Sequence, residues 1–223
     1  TIAKFKLGFA QNLRSGLYSY LSAKVAKKQL IEKLGLAVTG NDRFRNKFML
    51  PIFNHRNKIA GFGARALDDT LPKYINSPES PIYVKGNLLY GLNFSGDHIR
   101  KLDKIIVVEG YMDVLTLFQQ GVRNIVAASG TSLTTEQVRL IKRLTNNVVI
   151  VFDPDEAGKL ASIRGLELLL DFEMDVSIVG LPSGFDPDDF IIKFGAEKFN
   201  NMITQAKDIF DYKLEFLLNK YDM

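Results

Sequence analysis

Asp153 and Asp155 stand one residue apart at the end of the apolar run "VVIVF", residues 148 to 152. Two carboxylates held that close repel, and a divalent cation between them removes the difficulty. Magnesium prefers hard oxygen ligands, usually one or two carboxylates with water and phosphate completing the shell. Pro154 fixes a backbone dihedral between the pair and stiffens their presentation. Glu109, closing "DKIIVVEG", and Asp186, Asp188 and Asp189, in "FDPDD" (185 to 189), add further oxygens. Two ions so held would stabilise both the attacking and the leaving oxygen of a phosphoryl transfer. The plainer alternative is that strand-terminal acids serve as helix N-caps, a reading that competes most strongly at Asp153.

The elements that must position these acids alternate between strand and helix. "DKIIVVEG", "VRNIVAAS", "NNVVIVFD" and "DVSIVGLP" are β-branched runs, and "YMDVLTLFQQG", "SLTTEQVRLIKRL" and "EAGKLASIRGLELLLDF" carry helical spacing between them. Thr134 with Gln137 three residues on forms a capping box. Strands separated by such helices imply crossovers and a mainly parallel sheet with both faces covered. The fold class is α/β, and ligands in such sheets gather at the carboxyl ends of the strands. Glu109, Asp153, Asp155 and the "FDPDD" acids all fall there.

The first half is a mixed α+β region. "AKFKLGFAQN" and "GLYSYLSAKVAKKQLIEKLG" are expected as helices, and "NKFMLPIFN" with "NKIAGFGARAL" as a strand pair. Residues 68 to 92, rich in Pro, Gly, Ser and Asn, are expected as loop with one short helix, and Ser95 as the cap of a helix leading onward. His55 and His98 sit beside charged residues, in expected surface turns. The divisions expected are a basic subdomain at 1–100, the acidic α/β subdomain at 101–195 and a helical segment at 196–223.

Charge divides the same way. Residues 1 to 100 carry 16 Lys and Arg against 6 Asp and Glu, whereas residues 101 to 223 carry 13 against 19. A basic half beside an acidic half suits an enzyme that holds a polyanion with one part and metal ions with the other; chance clustering of solvated charge is the alternative. Arg43, Arg45, Lys47, Arg65, Lys73 and Lys85 are the candidate phosphate ligands, interleaved with Phe44, Phe48, Tyr74 and Tyr83. Phe44 and Phe48 are expected in the core, whereas Lys73, between Pro72 and Tyr74 in a polar loop, serves no obvious packing need and is expected to be functional. Zero Cys and two His exclude a disulfide framework and any thiolate or His-rich zinc site. No apolar run is long enough to span a bilayer. The chain begins at Thr1, which suggests an excised fragment.

The blocks "VVEGYMDV", "VAASGTSLT", "VFDPDEAG" and "FDPDDFI", in that order, resemble the TOPRIM domain. "RFRNKFMLPIFN", "GFGARAL", "PKYINSPES" and "KGNLLYGL" before them resemble the basic subdomain of bacterial replicative, DnaG-type DNA primase, so the likeness spans at least residues 43 to 195. The resemblance implies the catalytic core of a DNA-directed RNA polymerase that makes short RNA primers on single-stranded DNA. Glu109, Asp153 and Asp155 are then catalytic and, with Asp186 and Asp188, hold two or more Mg2+ or Mn2+ ions. Arg43, Arg45, Arg65, Lys73, Asn76, Lys85 and Asp113 become nucleic-acid or nucleotide ligands. Pro154, where the family commonly has Gly, is a departure that bears on nucleotide approach.

The expected partners are template, primer, nucleoside triphosphates and the replicative helicase, which the family's enzyme meets through a C-terminal domain outside this chain. The family's zinc-binding domain is likewise outside it, and the fragment is expected to be monomeric and to act in the bacterial cytoplasm at the replication fork. Two other readings stay open. One is a TOPRIM topoisomerase or nuclease fragment, and the other a noncatalytic binding module whose acidic edge is structural.

Overall fold

The structure, a computed structural model, describes residues 1–24, 27–129, 133–152, 164–212 and 214. It divides into two compact units, Thr1–Lys85 and Gly86–Met223.

The first unit is built on a four-stranded antiparallel sheet in the order β1-β4-β5-β6. Its elements are α1 (Ile2–Phe5), β1 (Gly8–Ala10), α2 (Gly16–Lys24), α3 (Lys28–Lys33), β2 (Ala37–Val38), β3 (Asn41–Asp42), β4 (Lys47–Phe53), β5 (Ile59–Ala66) and β6 (Tyr74–Asn76). The strand pair expected from the sequence is β4 and β5, turned at 54–58 with Asn57 at φ 60. "AKFKLGFAQN" is not one helix: α1 ends after a single turn at Lys6, whose left-handed φ of 52 turns the chain into edge strand β1. Buried Asp42 accepts the main-chain N–H groups of Leu17 and Tyr18 at 2.8 and 2.7 Å, supplying acceptors that the start of α2 lacks locally. Gly61 is required by close approach, because a Cβ there would stand 2.4 Å from Cδ2 of the buried Tyr83 ring.

The second unit is a five-stranded sheet in the order β11-β10-β9-β7-β8. In chain order it runs α4 (Leu92–Leu102), β7 (Ile105–Val108), α5 (Tyr111–Gln119), β8 (Ile125–Ala127), α6 (Thr135–Lys142), β9 (Asn147–Phe152), α7 (Arg164–Asp171), β10 (Asp175–Gly180), α8 (Pro187–Thr204) and β11 (Lys207–Asp208). Strands β8, β7, β9 and β10 are parallel, and β11 closes one edge antiparallel to β10. The segment after 195 is therefore not wholly helical, since β11 lies within it. Its helix continues α8 across a bend at Gly195, where φ is 83.

Alternation along the strands sorts the two faces. Ile105, Val107, Val148, Ile150, Val176 and Ile178 share a buried cluster with Ile99 of α4, Val138 and Ile141 of α6, and Leu166 and Leu169 of α7. Ile106, Val108, Val149 and Val151 point to the opposite face, which α5 and α8 cover while packing on each other. Fully burying an aliphatic side chain contributes roughly 1.5–3 kcal/mol, so this double-sided apolar pattern locks both strand order and register.

Two local expectations change. Ser95 does not cap α4, which begins at Leu92; it sits inside the helix, fully buried, and its hydroxyl donates to the Ile125 carbonyl at 2.7 Å. His98 is likewise a residue of α4 and not of a turn, whereas His55 is in one. The Thr134–Gln137 capping box is present, with Gln137 N–H on Thr134 Oγ1 at 3.2 Å and Thr134 N–H on Gln137 Oε1 at 3.1 Å.

Candidate metal centre and basic sheet

Connections from β7 and β9, which are neighbours, leave in opposite directions: β7 leads to β8 on one side and β9 to β10 on the other. Such a reversal opens a crevice at the carboxyl ends of the two strands. Glu109 follows β7 directly, and β9 ends at Phe152, one residue before Asp153. Asp153 and Asp155 lie outside the described residues.

Three carboxylates do converge. Asp113, Asp186 and Asp188 each present an oxygen within 4.8 Å of the others. Asp113 occupies the first turn of α5, is 8% exposed, and accepts the N–H of Gly110 through Oδ2 at 2.9 Å. A Cβ on residue 110 would approach that oxygen to 2.9 Å, which favours Gly in "EGYMD". Asp186 is the N-cap of α8, accepting Asp189 N–H at 2.8 Å, and Asp188 lies in the first turn beside it. Pro187 at the first helical position fixes φ and lacks a donor that would be orphaned there anyway. Since α5 packs on α8, the starts of both helices meet. Their N-terminal dipoles favour negative charge by about 0.3–1 kcal/mol per group, which offsets part of the mutual repulsion.

The trio fits a divalent cation. Its donors are hard oxygens only, the set suited to Mg2+ or Mn2+. Asp186 and Asp188, expected from the sequence as metal ligands, lie beside Asp113, which is expected there as a nucleic-acid or nucleotide ligand. The signal for Asp113 was its place in the first turn after a buried strand. Glu109, half-buried, is not a member of this group.

The basic candidates belong to the first unit, which holds 15 Lys and Arg against 5 Asp and Glu. Arg43 is half-buried and donates through Nε and Nη2 to the Asn76 carbonyl at 3.3 and 3.2 Å, so these two residues are tied to each other. Arg45 and Lys73 are exposed at the starts of β4 and β6. Lys85 is half-buried, and its N–H donates to Glu79 Oε1 at 3.0 Å. Lys47 is buried. Arg65, on β5, lies beside Tyr74. Of the aromatics, Phe44 and Tyr83 are core, while Phe48 is half-buried and Tyr74 is open to solvent.

The second unit is an α/β domain with acids gathered at the carboxyl edge of a parallel sheet, and a family model described as Toprim-like matches residues 106–191. A second, described as the N-terminal domain of the DNA primase catalytic core, matches residues 1–95. The chain belongs to the family of the bacterial, DnaG-type DNA primase catalytic core. It is 43% identical to a DNA primase of Clostridium acetobutylicum, over 96% of this chain and 36% of the relative. A DNA primase domain from Pseudomonas aeruginosa superposes with a TM-score of 0.89 at 39% identity, over 98% of this chain and 71% of that one. A DnaG primase catalytic domain bound to single-stranded DNA matches with a TM-score of 0.89 at 36% identity, over 98% and 73%. The chain thus spans about a third of the length of the curated relatives it matches. Among the described residues no helix is long and apolar enough to cross a membrane.

Proposed function

We propose that this chain is the catalytic part of a primase, joining ribonucleotides into short RNA primers on single-stranded DNA. The observation that carries the reading is the approach of Asp113, Asp186 and Asp188 at the sheet's carboxyl edge, in a chain of this family. Asp113, Asp186 and Asp188, with Glu109, Asp153 and Asp155 from the neighbouring strand ends, would hold two or more Mg2+ or Mn2+ ions, and no zinc. The chemistry such ions would supply there is neutralisation of triphosphate charge and activation of a 3′ hydroxyl.

The protein's own groups supply position and charge. Gly110 and the first turn of α5 hold Asp113 in place, and the cap of α8 holds Asp186. Arg45, Arg65, Lys73 and Lys85, with Arg43 and Asn76 bracing the same sheet, neutralise template and primer phosphates, a salt-dependent and sequence-independent attraction. The partners are therefore single-stranded DNA, RNA primer and nucleoside triphosphates, with the replicative helicase met through segments outside this chain. The setting is the replication fork in the bacterial cytoplasm, with this part acting as a monomer.

Template-dependent primer extension by Asp153→Ala and Asp155→Ala tests the assignment. Both variants should lose extension, and full activity in either would remove that residue from the site. Strand scission of supercoiled DNA with metal and no nucleotide would point instead to the topoisomerase or nuclease reading.

A further inference from the structure

Two of the three clustered acids straddle the point where the chain enters α8. Asp186 has an extended backbone, at φ −83 and ψ 171, whereas Asp188 lies in the first helical turn. The spacing of their carboxylates therefore depends on the angle at which the chain arrives, and a residue outside the cluster governs that angle.

Phe185 immediately precedes the N-cap Asp186, and Phe190 is the fourth residue of α8. Their rings meet edge to face, with centroids 6.3 Å apart and planes at 89°. An apolar residue before the cap that packs on the fourth helical residue is a hydrophobic staple, and it fixes the entry angle of the chain. The Phe185 ring also stands 5.3 Å from that of Phe194, one turn further along. Phe190 is buried and packs in turn on Phe199, which is wholly buried. A run of rings at favourable edge-to-face distances thus ties Phe185 to the core.

The approach from β10 is fixed as well. Phe185 N–H donates to the Pro182 carbonyl at 3.2 Å, closing a turn whose third residue, Gly184, takes a left-handed φ of 83. Lys193 then covers the staple, its ammonium 4.6 Å from the Phe185 ring centroid. Asp189 lies four residues before Lys193 on the same helix, a spacing suited to an ion pair. Among the described residues, however, the ion pairs are Arg100–Asp97 and Arg139–Glu136. The ammonium is placed over the ring instead.

We propose that Phe185 is a positioning residue for the divalent cation, setting the presentation of Asp186 and Asp188 beside Asp113 and hence the affinity of the trio. It is not itself a ligand, since a phenyl ring offers a hard cation no oxygen; it acts through the two carboxylates. Removing groups that orient metal ligands typically weakens binding roughly 10–100-fold. The inference rests on the metal reading above and adds to it a residue that supplies no donor atom. A staple that only stabilised α8 would leave affinity for the ion untouched.

Mn2+ titration of the whole chain, read by the electron paramagnetic resonance signal of the free ion, tests it on the class of site that Asp113→Asn removes. In that class Phe185→Ala should bind about tenfold more weakly than wild type, and Phe185→Leu, which keeps an apolar staple, should bind as wild type does. Ile209→Ala controls for stability alone. Ile209 is fully buried in the cluster on the sheet's other face, so its truncation should lower Tm and leave Mn2+ affinity unchanged. An unaltered affinity in Phe185→Ala, or a loss as large in Phe185→Leu or in Ile209→Ala, overturns the positioning role and leaves the metal reading standing. A wild type with no Mn2+ class that depends on Asp113 overturns both. Should Phe185→Ala fail to fold, Phe185→Val, which shortens the staple without emptying it, decides the matter in the same way.

Discussion

Replacing Asp113 by Asn separates a metal ligand from a mere helix cap, since the two roles give opposite signs. Its oxygen lies within 4.8 Å of those of Asp186 and Asp188. At that separation two unit charges repel by about 1 kcal/mol in water and about 3.5 at an effective dielectric of 20. Asp186 and Asp188 are half-buried, which puts each pair at roughly 1–2 kcal/mol. Asp113 belongs to two such pairs. Asn keeps an oxygen for the Gly110 N–H and forfeits about 1 kcal/mol of charge assistance.

Without divalent cation, Asp113→Asn should therefore be more stable than wild type by about 1–3 kcal/mol, at roughly 2–4 °C of Tm per kcal/mol for a chain this size. With Mn2+ at a hundred times its Kd, wild type gains about 2.7 kcal/mol and the variant much less, so the order of the two proteins narrows or inverts. Differential scanning fluorimetry in chelator and in Mn2+ reads both signs, and added salt should shrink the first. A variant that is less stable in chelator and shows the full Mn2+ shift would reduce Asp113 to a cap and break the cluster.

Gln137 is fully buried, with Nε2 donating to the Leu88 carbonyl at 2.7 Å and Oε1 accepting from Thr134. Gln137→Ala leaves two backbone groups unpaired and should cost about 2–5 kcal/mol in urea denaturation; a loss under about 1 kcal/mol would show that water replaces it. Burial, with a smaller contribution from Tyr111 nearby, pushes the Tyr90 hydroxyl far above its ordinary 10.0. The unfolded chain releases this proton first, so the contribution is complete below pH 10 and falls by about 1.4 kcal/mol per pH unit above it. Tyr90→Phe should flatten the alkaline limb of stability against pH, and an unchanged limb would assign it to other groups.

The parallel strands, the crossover helices and the Thr134–Gln137 cap were legible because each is written locally: an apolar run, a 3.6-residue period, a hydroxyl three residues before an amide. The acids at 109, 153 and 155 and in "FDPDD" are expectations of the same local kind, each following an apolar run. Chain-local signals failed where a distant partner decided the outcome. Lys6 turns a promising helix into an edge strand because β4 has a free side to pair. Ser95 looks like a cap until Ile125 offers its carbonyl, and β11 forms only because β10 is there to accept it.

The same division governs the site. Carboxylates at strand ends followed from alternating strand and helix patterns alone, because a parallel sheet must present all its carboxyl ends on one edge. The membership of Asp113 in a trio with Asp186 and Asp188 depends on α5 lying against α8, a contact between segments some seventy residues apart. Sequence sets what each segment prefers on its own, and tertiary packing selects which distant side chains come close enough to act together.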